Sequence, residues 1–216
     1  MKKSLFLSAA LFAAVLTSAR ADDVALLTVQ IGKDPTPRTV AIELYEGDAP
    51  RTVENFKTLA KKNFYKGVAF HRVFPGILVQ TGDPLSKAKD RAKVGTGGPG
   101  HTLLPEVRRK HVIGAVVAAR LPDKINPSRV SNGSQFFICL KPAPNYDGQY
   151  TVFGQVLYGY DVLEAISNAP ADSNDYPIER SFIRSVKVMP REKLPPESTL
   201  AVPGAKRTKR WWQIFG

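Results

Sequence analysis

The chain of 216 residues contains one cysteine, two tryptophans, two methionines and three histidines. With Cys139 alone, no disulfide can form within the chain. Cys139 stands in the apolar run "QFFICL", where a thiol is expected to act as a small buried hydrophobe. His71, His101 and His111 are widely spaced and no H-E-x-x-H occurs, so neither a metal site nor a cofactor is expected. There is no G-x-S-x-G elbow. The Gly-rich stretch "GTGGPG" (95–100) lacks a following Lys-Ser/Thr, and Pro99 stands where a helix would have to continue. It therefore reads as a loop and not as a phosphate cradle. Acidic residues are outnumbered 19 to 31 by Lys and Arg, a net charge of +12. No helix or ribbon concentrates that charge in the way a groove reader needs, so nucleic acid is not an expected partner. No internal repeat is present.

Long apolar runs are also missing. The longest candidate, Leu5 to Leu16, is shorter than the roughly 20 residues that cross a bilayer. Preceded by Lys2 and Lys3 and followed by Ala19-Arg20-Ala21, it has the basic, apolar and A-x-A regions of a signal peptide. Residues 1–21 are expected to be removed on export to the periplasm or beyond. Residues 22–189 form the expected folded body, and 190–216 a tail. The tail begins as a Pro/Glu/Ser stretch that reads as an extended linker. It ends in "KRTKRWWQIFG", and three uses fit that segment. Trp211 and Trp212 could pack on the body or stay disordered; the segment could contact an anionic membrane surface; or it could bind a partner protein.

Between these ends the periodicity is mostly two. "VALLTVQI" and "TVAIEL" alternate, with turn residues between them, which predicts a hairpin. "DAPRTVENFKTLAKKNFY" changes to helical spacing. Asp48 is the expected cap, Pro50 the first turn, and Val53, Phe56, Leu59 and Ala60 the apolar stripe. The stretch 70–84 reads as a buried strand. "HVIGAVVAA", "SQFFICL", "YTVFGQVL" and "FIRSVKVM" supply further strands, and "YDVLEAISN" a second helix. No regular crossover helices separate the strands, so a parallel α/β fold is disfavoured. Many short strands in one body suggest a closed antiparallel barrel or a sandwich.

Within the stretch "FHRVFPGILVQTGDP", Arg72 and Gln80 stand at either end of an apolar series, although Arg is almost never fully buried without a partner. That stretch, "GTGG", "NGSQFFI" and "DGQYTVFGQV" occur in this order. Together they resemble the cyclophilin family of peptidyl-prolyl cis–trans isomerases, in particular its secreted bacterial kind, from about Val24 to Met189. The resemblance implies a mainly β fold: a closed eight-stranded antiparallel barrel capped by two helices. An open groove on its outer face would take a proline-containing polypeptide, and a monomer is expected. It further implies Arg72, Gln80 and Phe137 as catalytic positions. His71, Ile77, Leu78, Ala119, Arg120, Gln135, Asn145, Tyr146 and Tyr150 fall at substrate-binding positions.

The chemistry suits those residue types. Rotation about an X-Pro bond needs no covalent step, only relief of C–N conjugation. A donor aimed at the pyramidal prolyl nitrogen binds the twisted state better than either planar state. Arg is always protonated and offers a fork of donors. The chain departs from the family where Phe is usual (Ile77), where a long apolar residue is usual (Ala118), where Asn is common (Arg120), before "DG" (Asn145, Tyr146) and at a groove His (Tyr150). The expectation is a smaller pocket with its electrostatic part intact. It follows that turnover or sequence preference is shifted, and that ligands such as cyclosporin bind more weakly. A binding module or chaperone with little turnover is the alternative.

Overall fold

The computed structural model describes residues 22–200. The proposed signal peptide and the basic, Trp-containing end of the tail lie outside the described residues. Eight strands form one antiparallel sheet: β1 (Asp23–Gln30), β2 (Arg38–Leu44), β3 (Arg72–Phe74), β4 (Leu78–Thr81), β5 (Ala115–Ala118), β6 (Phe136–Cys139), β7 (Val152–Tyr158) and β8 (Phe182–Pro190). Their spatial order is β3-β4-β6-β5-β7-β2-β1-β8. Helices α1 (Pro50–Lys61) and α2 (Tyr160–Ser167) pack on this sheet, α1 against β8 and α2 against β2, β3 and β4.

Sequence pattern and structure agree for β1, β2, α2 and β8 within a residue or two. Helix α1 buries the expected stripe of Val53, Phe56, Leu59 and Ala60. The Phe56 ring meets Tyr65, Phe136 and Phe153 at centroid distances of 5.1, 5.8 and 5.6 Å. Phe56→Ala would therefore cost about 3–5 kcal/mol of stability. Asp48 does not cap this helix; it pairs with Arg109. The open N–H groups of Arg51 and Thr52 are met instead by Glu106, at 3.1 and 2.9 Å. A carboxylate there also suits the positive end of the helix dipole.

The stretch 70–84 is not one strand. Pro75 and Gly76 turn the chain, with Gly76 at φ +63°, a conformation that glycine adopts at no steric cost. β3 and β4 thus form a hairpin in which Arg72 lies directly opposite Gln80.

The sheet is a curled half-barrel and not the closed barrel expected. β3 and β8 are its edges and share no ladder. Across the seam are a single bridge, Ala69–Phe182, and backbone bonds just before β3 such as Phe70 N to Ser181 O at 2.9 Å. The cause is local. β3 is only three residues long, and the N–H of Val73 is taken by the carbonyl of Asp175 in the 172–176 loop, at 2.9 Å. After β8 the chain does not run on fully extended, because Arg191–Lys193 form a 3-10 turn and Glu197–Leu200 a short helical turn.

Strand alternation divides the apolar residues between two faces. Val73, Val79, Ile138 and Val116 form one cross-strand row, which faces inward into the main core with α1 and α2. The neighbouring row is Arg72, Gln80, Phe137, Val117 and Val152. Phe137, Val117 and Val152 belong to a second, smaller cluster with Ala115, Ala119 and Cys139. The sheet is therefore apolar on both sides in this region. Cys139 is 1% exposed, and burial pushes its thiol pKa up to about 12, so it is an inert hydrophobe as expected.

Candidate active site

A cleft of about 750 Å³ opens over this second row. His71, Arg72, Leu78, Gln80, Ala119, Arg120, Gln135, Phe137, Tyr146 and Tyr150 line it. Two positions singled out from the sequence, Ile77 and Asn145, fall outside the lining. Ile77 sits in the β3–β4 turn and is 40% exposed, because the turn carries it past the end of the sheet row. Ala118 belongs to the inner core, so its small size does not bear on the cleft.

The floor is aromatic. Tyr146 and Tyr150 meet Phe137 edge-on at 6.0 and 5.9 Å, and each other at 5.1 Å. The two tyrosines supply bulk where a smaller pocket was expected. Behind them His111 is buried. Its backbone N–H and ring Nδ1 both contact Asp147 Oδ1, at 2.7 and 2.8 Å, and its ring meets Tyr146 edge-on at 5.9 Å.

Polar groups rise from this floor on one side. Gln80 Nε2 donates to Gln135 Oε1 at 3.0 Å. Gln135 Nε2 in turn donates to the carbonyls of Gly95 and Gly97 at 2.9 and 2.8 Å. The Gly-rich loop is thereby fixed against β6, and the side-chain oxygen of Gln80 remains for a substrate or for Arg72. Arg72 keeps its side chain 51% exposed, with Asp175 Oδ2 at 3.9 Å and the Phe74 ring beneath its guanidinium at 4.8 Å. His71 is 5% exposed, and among the described residues its buried ring nitrogens have no partner at full hydrogen-bond geometry, with Ala69 and Gln135 nearby. Burial first of all holds its pKa below the ordinary histidine range, so it is neutral near pH 7 and adds no second charge beside Arg72.

Sequence reasoning missed the loop residues of the lining, among them Arg91, Leu121, Pro122, Asp172, Asn174 and Tyr176. They come from segments without periodicity. Between the lining residues Asn174 and Tyr176, Asp175 adopts φ +60°, and Asp and Asn are among the few non-glycine residues that do so readily.

The arrangement is an apolar, aromatic floor with the partly exposed cationic forks of Arg72 and Arg91 at its edge. Comparison with known proteins agrees with it. Residues 26–188 match the family described as cyclophilin type peptidyl-prolyl cis-trans isomerase/CLD. A peptidyl-prolyl cis-trans isomerase of Schizosaccharomyces pombe is 40% identical over 141 residues, 65% of this chain and 86% of that protein. One from Helicobacter pylori is 42% identical over 132 residues, 59% of this chain and 73% of that protein. A crystal structure of a cyclophilin type isomerase from Cryptosporidium parvum in the presence of the dipeptide Ala-Pro has a TM-score of 0.64 and 26% identity. It covers 77% of this chain and 98% of that one. These relatives are fungal, bacterial and protozoan, so they support the family and not its secreted bacterial branch. The chain belongs to the cyclophilin-type peptidyl-prolyl cis–trans isomerase family.

Proposed function

We propose that this isomerase acts on X-Pro bonds of exported polypeptides as they fold, with Arg72 as the donor to the prolyl nitrogen. The observation that carries the reading is the cross-strand row Arg72–Gln80–Phe137, which sets a free fork beside an apolar floor. The pyrrolidine ring rests on Phe137 and Leu78. The X-Pro bond then lies toward Gln80 and Arg72. The barrier to rotation is about 18–20 kcal/mol because the C–N bond is partly double, and uncatalysed exchange takes tens to hundreds of seconds. As the bond twists, the nitrogen regains its lone pair, and Arg72 bonds it more strongly than in either planar state. That difference lowers the barrier, and the water-poor floor strengthens the bond. Export is supported by the signal-peptide pattern of residues 1–21.

The test is prolyl isomerisation of a short Ala-Pro peptide, followed by exchange NMR with purified protein. Acceleration over the uncatalysed rate is expected. Binding of the peptide without acceleration would instead make the cleft a proline-binding module. Fractionation of expressing cells tests export, since retention of the full-length precursor in the cytoplasm contradicts it.

A further inference from the structure

Arg120 lines the cleft, yet its side chain is only 3% exposed. Three of its five N–H donors are committed, through Nε and Nη1. Nε bonds the carbonyl of Gln149 at 3.1 Å. Nη1 bonds the carbonyl of Leu121 at 2.9 Å and the carboxylate of Asp123 at 2.6 Å. The guanidinium lies over the Tyr150 ring, 4.3 Å from its centroid. Gln149 and Tyr150 belong to the segment between β6 and β7, whereas Leu121 and Asp123 belong to the segment between β5 and β6. One side chain thus joins the two loops that wall the cleft. Asp123 extends the joint, because it also accepts from Arg129 Nη2 at 2.6 Å and Nε at 3.1 Å.

The geometry points to Arg120 as a positioning residue: it fixes Tyr150 against Phe137 and so sets the wall that receives the residues beside proline, without itself donating to the substrate. Three properties favour this over substrate contact. A buried guanidinium already held through Nε and Nη1 gains little by exchanging those bonds for a peptide carbonyl. Its planar face is committed to an aromatic ring, a contact that strengthens when desolvated. And the fork geometry, which joins two carbonyls and a carboxylate at once, cannot be reproduced by the single ammonium of lysine.

This inference rests on the proline-isomerase reading for its kinetic consequence, but the strut itself can be measured without substrate. In the full-length protein carrying 13C-labelled tyrosine, Arg120→Lys is expected to move the ring resonances of Tyr150 and Tyr146 while leaving Tyr65, in the inner core, unmoved. Asp123→Asn is expected to move the same resonances by less. In turnover, Arg120→Lys is expected to raise KM about tenfold, the worth of a charged hydrogen bond lost from the wall, with kcat within about twofold. A purely global destabilisation would lower the melting temperature and the active fraction and leave KM alone. Unmoved Tyr150 resonances overturn the strut whatever the turnover shows. A fall in kcat at constant KM, with Asp123→Asn silent, overturns it in favour of direct donation to the twisted bond. Absence of turnover in the wild-type protein, with Tyr150 still displaced in Arg120→Lys, would count against the isomerase reading and leave the strut standing.

Discussion

Of the three arginines that border the cleft, Arg72 and Arg120 are held in opposite ways. Arg72 is half exposed, its nearest carboxylate is 3.9 Å away, and its guanidinium rests on Phe74 with no hydrogen bond to another side chain among the described residues. Arg120 is nearly buried and bonded to two carbonyls and a carboxylate. An exposed, distant ion pair is worth ~0–1 kcal/mol, so little restrains Arg72 from turning toward a ligand. A guanidinium nearly buried and bonded through Nε and Nη1 is part of the wall. The comparison shows that the type of residue at a groove position does not decide its role; what matters is how firmly its neighbours hold it.

The strongest test of this contrast removes the free fork. Arg72→Ala should lower kcat/KM about 100- to 1,000-fold, as loss of a donor aimed at developing charge does. The melting temperature should stay nearly constant, because the side chain supports no packing beyond the Phe74 face. Arg72→Lys should recover only part of the loss, since a lysine bonds at one point where arginine bonds at two. Steady-state kinetics with an Ala-Pro peptide checks both. Activity within threefold of wild type in Arg72→Ala would erase the distinction between the two arginines.

Sequence made the polar end of the site legible and left the walls obscure. Arg72 and Gln80 stand out because an arginine and an amide interrupt an apolar strand pattern; their roles, and the choice of Phe137, follow only from the resemblance to the cyclophilin family. Their placement in one row still required the Pro75–Gly76 turn, which a reading of 70–84 as a single strand overlooks. Arg120 was assigned to substrate binding because its position could be read but its hydrogen bonds could not. Those depend on Gln149 and Asp123, which reach it from loops whose paths no periodicity fixes. The half-barrel, too, depends on a loop contact: the Asp175 carbonyl bonded to Val73 keeps β3 from pairing with β8.

A smaller effect separates the free end from the buried floor by pH. His71 is neutral in the folded chain, chiefly because it is buried. Its folded pKa lies below the unfolded value of about 6.5, so below that pH the unfolded chain binds more protons than the folded one. Stability then rises with pH across the window between the two values; it is fully present above pH 6.5 and declines as pH falls. His71→Gln keeps a polar side chain without a titrating group, and its urea midpoint should fall less steeply between pH 6.5 and 5 than that of the wild type. Equal slopes would mean that His71 takes up its proton as readily in the cleft as in the unfolded chain.

The smallest expected effect falls on the position that looked most limiting from sequence. Ile77 stands where an aromatic residue is usual, and a smaller side chain there suggested a poorer proline pocket. In the folded chain Ile77 is 40% exposed and outside the lining, and its backbone bonds Phe74 O at 2.9 Å and accepts from Leu140 N at 2.8 Å. Tyr146 and Tyr150 already fill the space around Phe137. Ile77→Phe should therefore change kcat/KM by about twofold or less, the range of an ordinary surface substitution. A tenfold rise would show that an aromatic ring on the turn reaches the floor and packs beside Leu78. The Arg72 end would then need a packed wall of its own, as the Arg120 end already has in Tyr150, and the contrast between a free fork and a built strut would narrow to a difference in exposure alone.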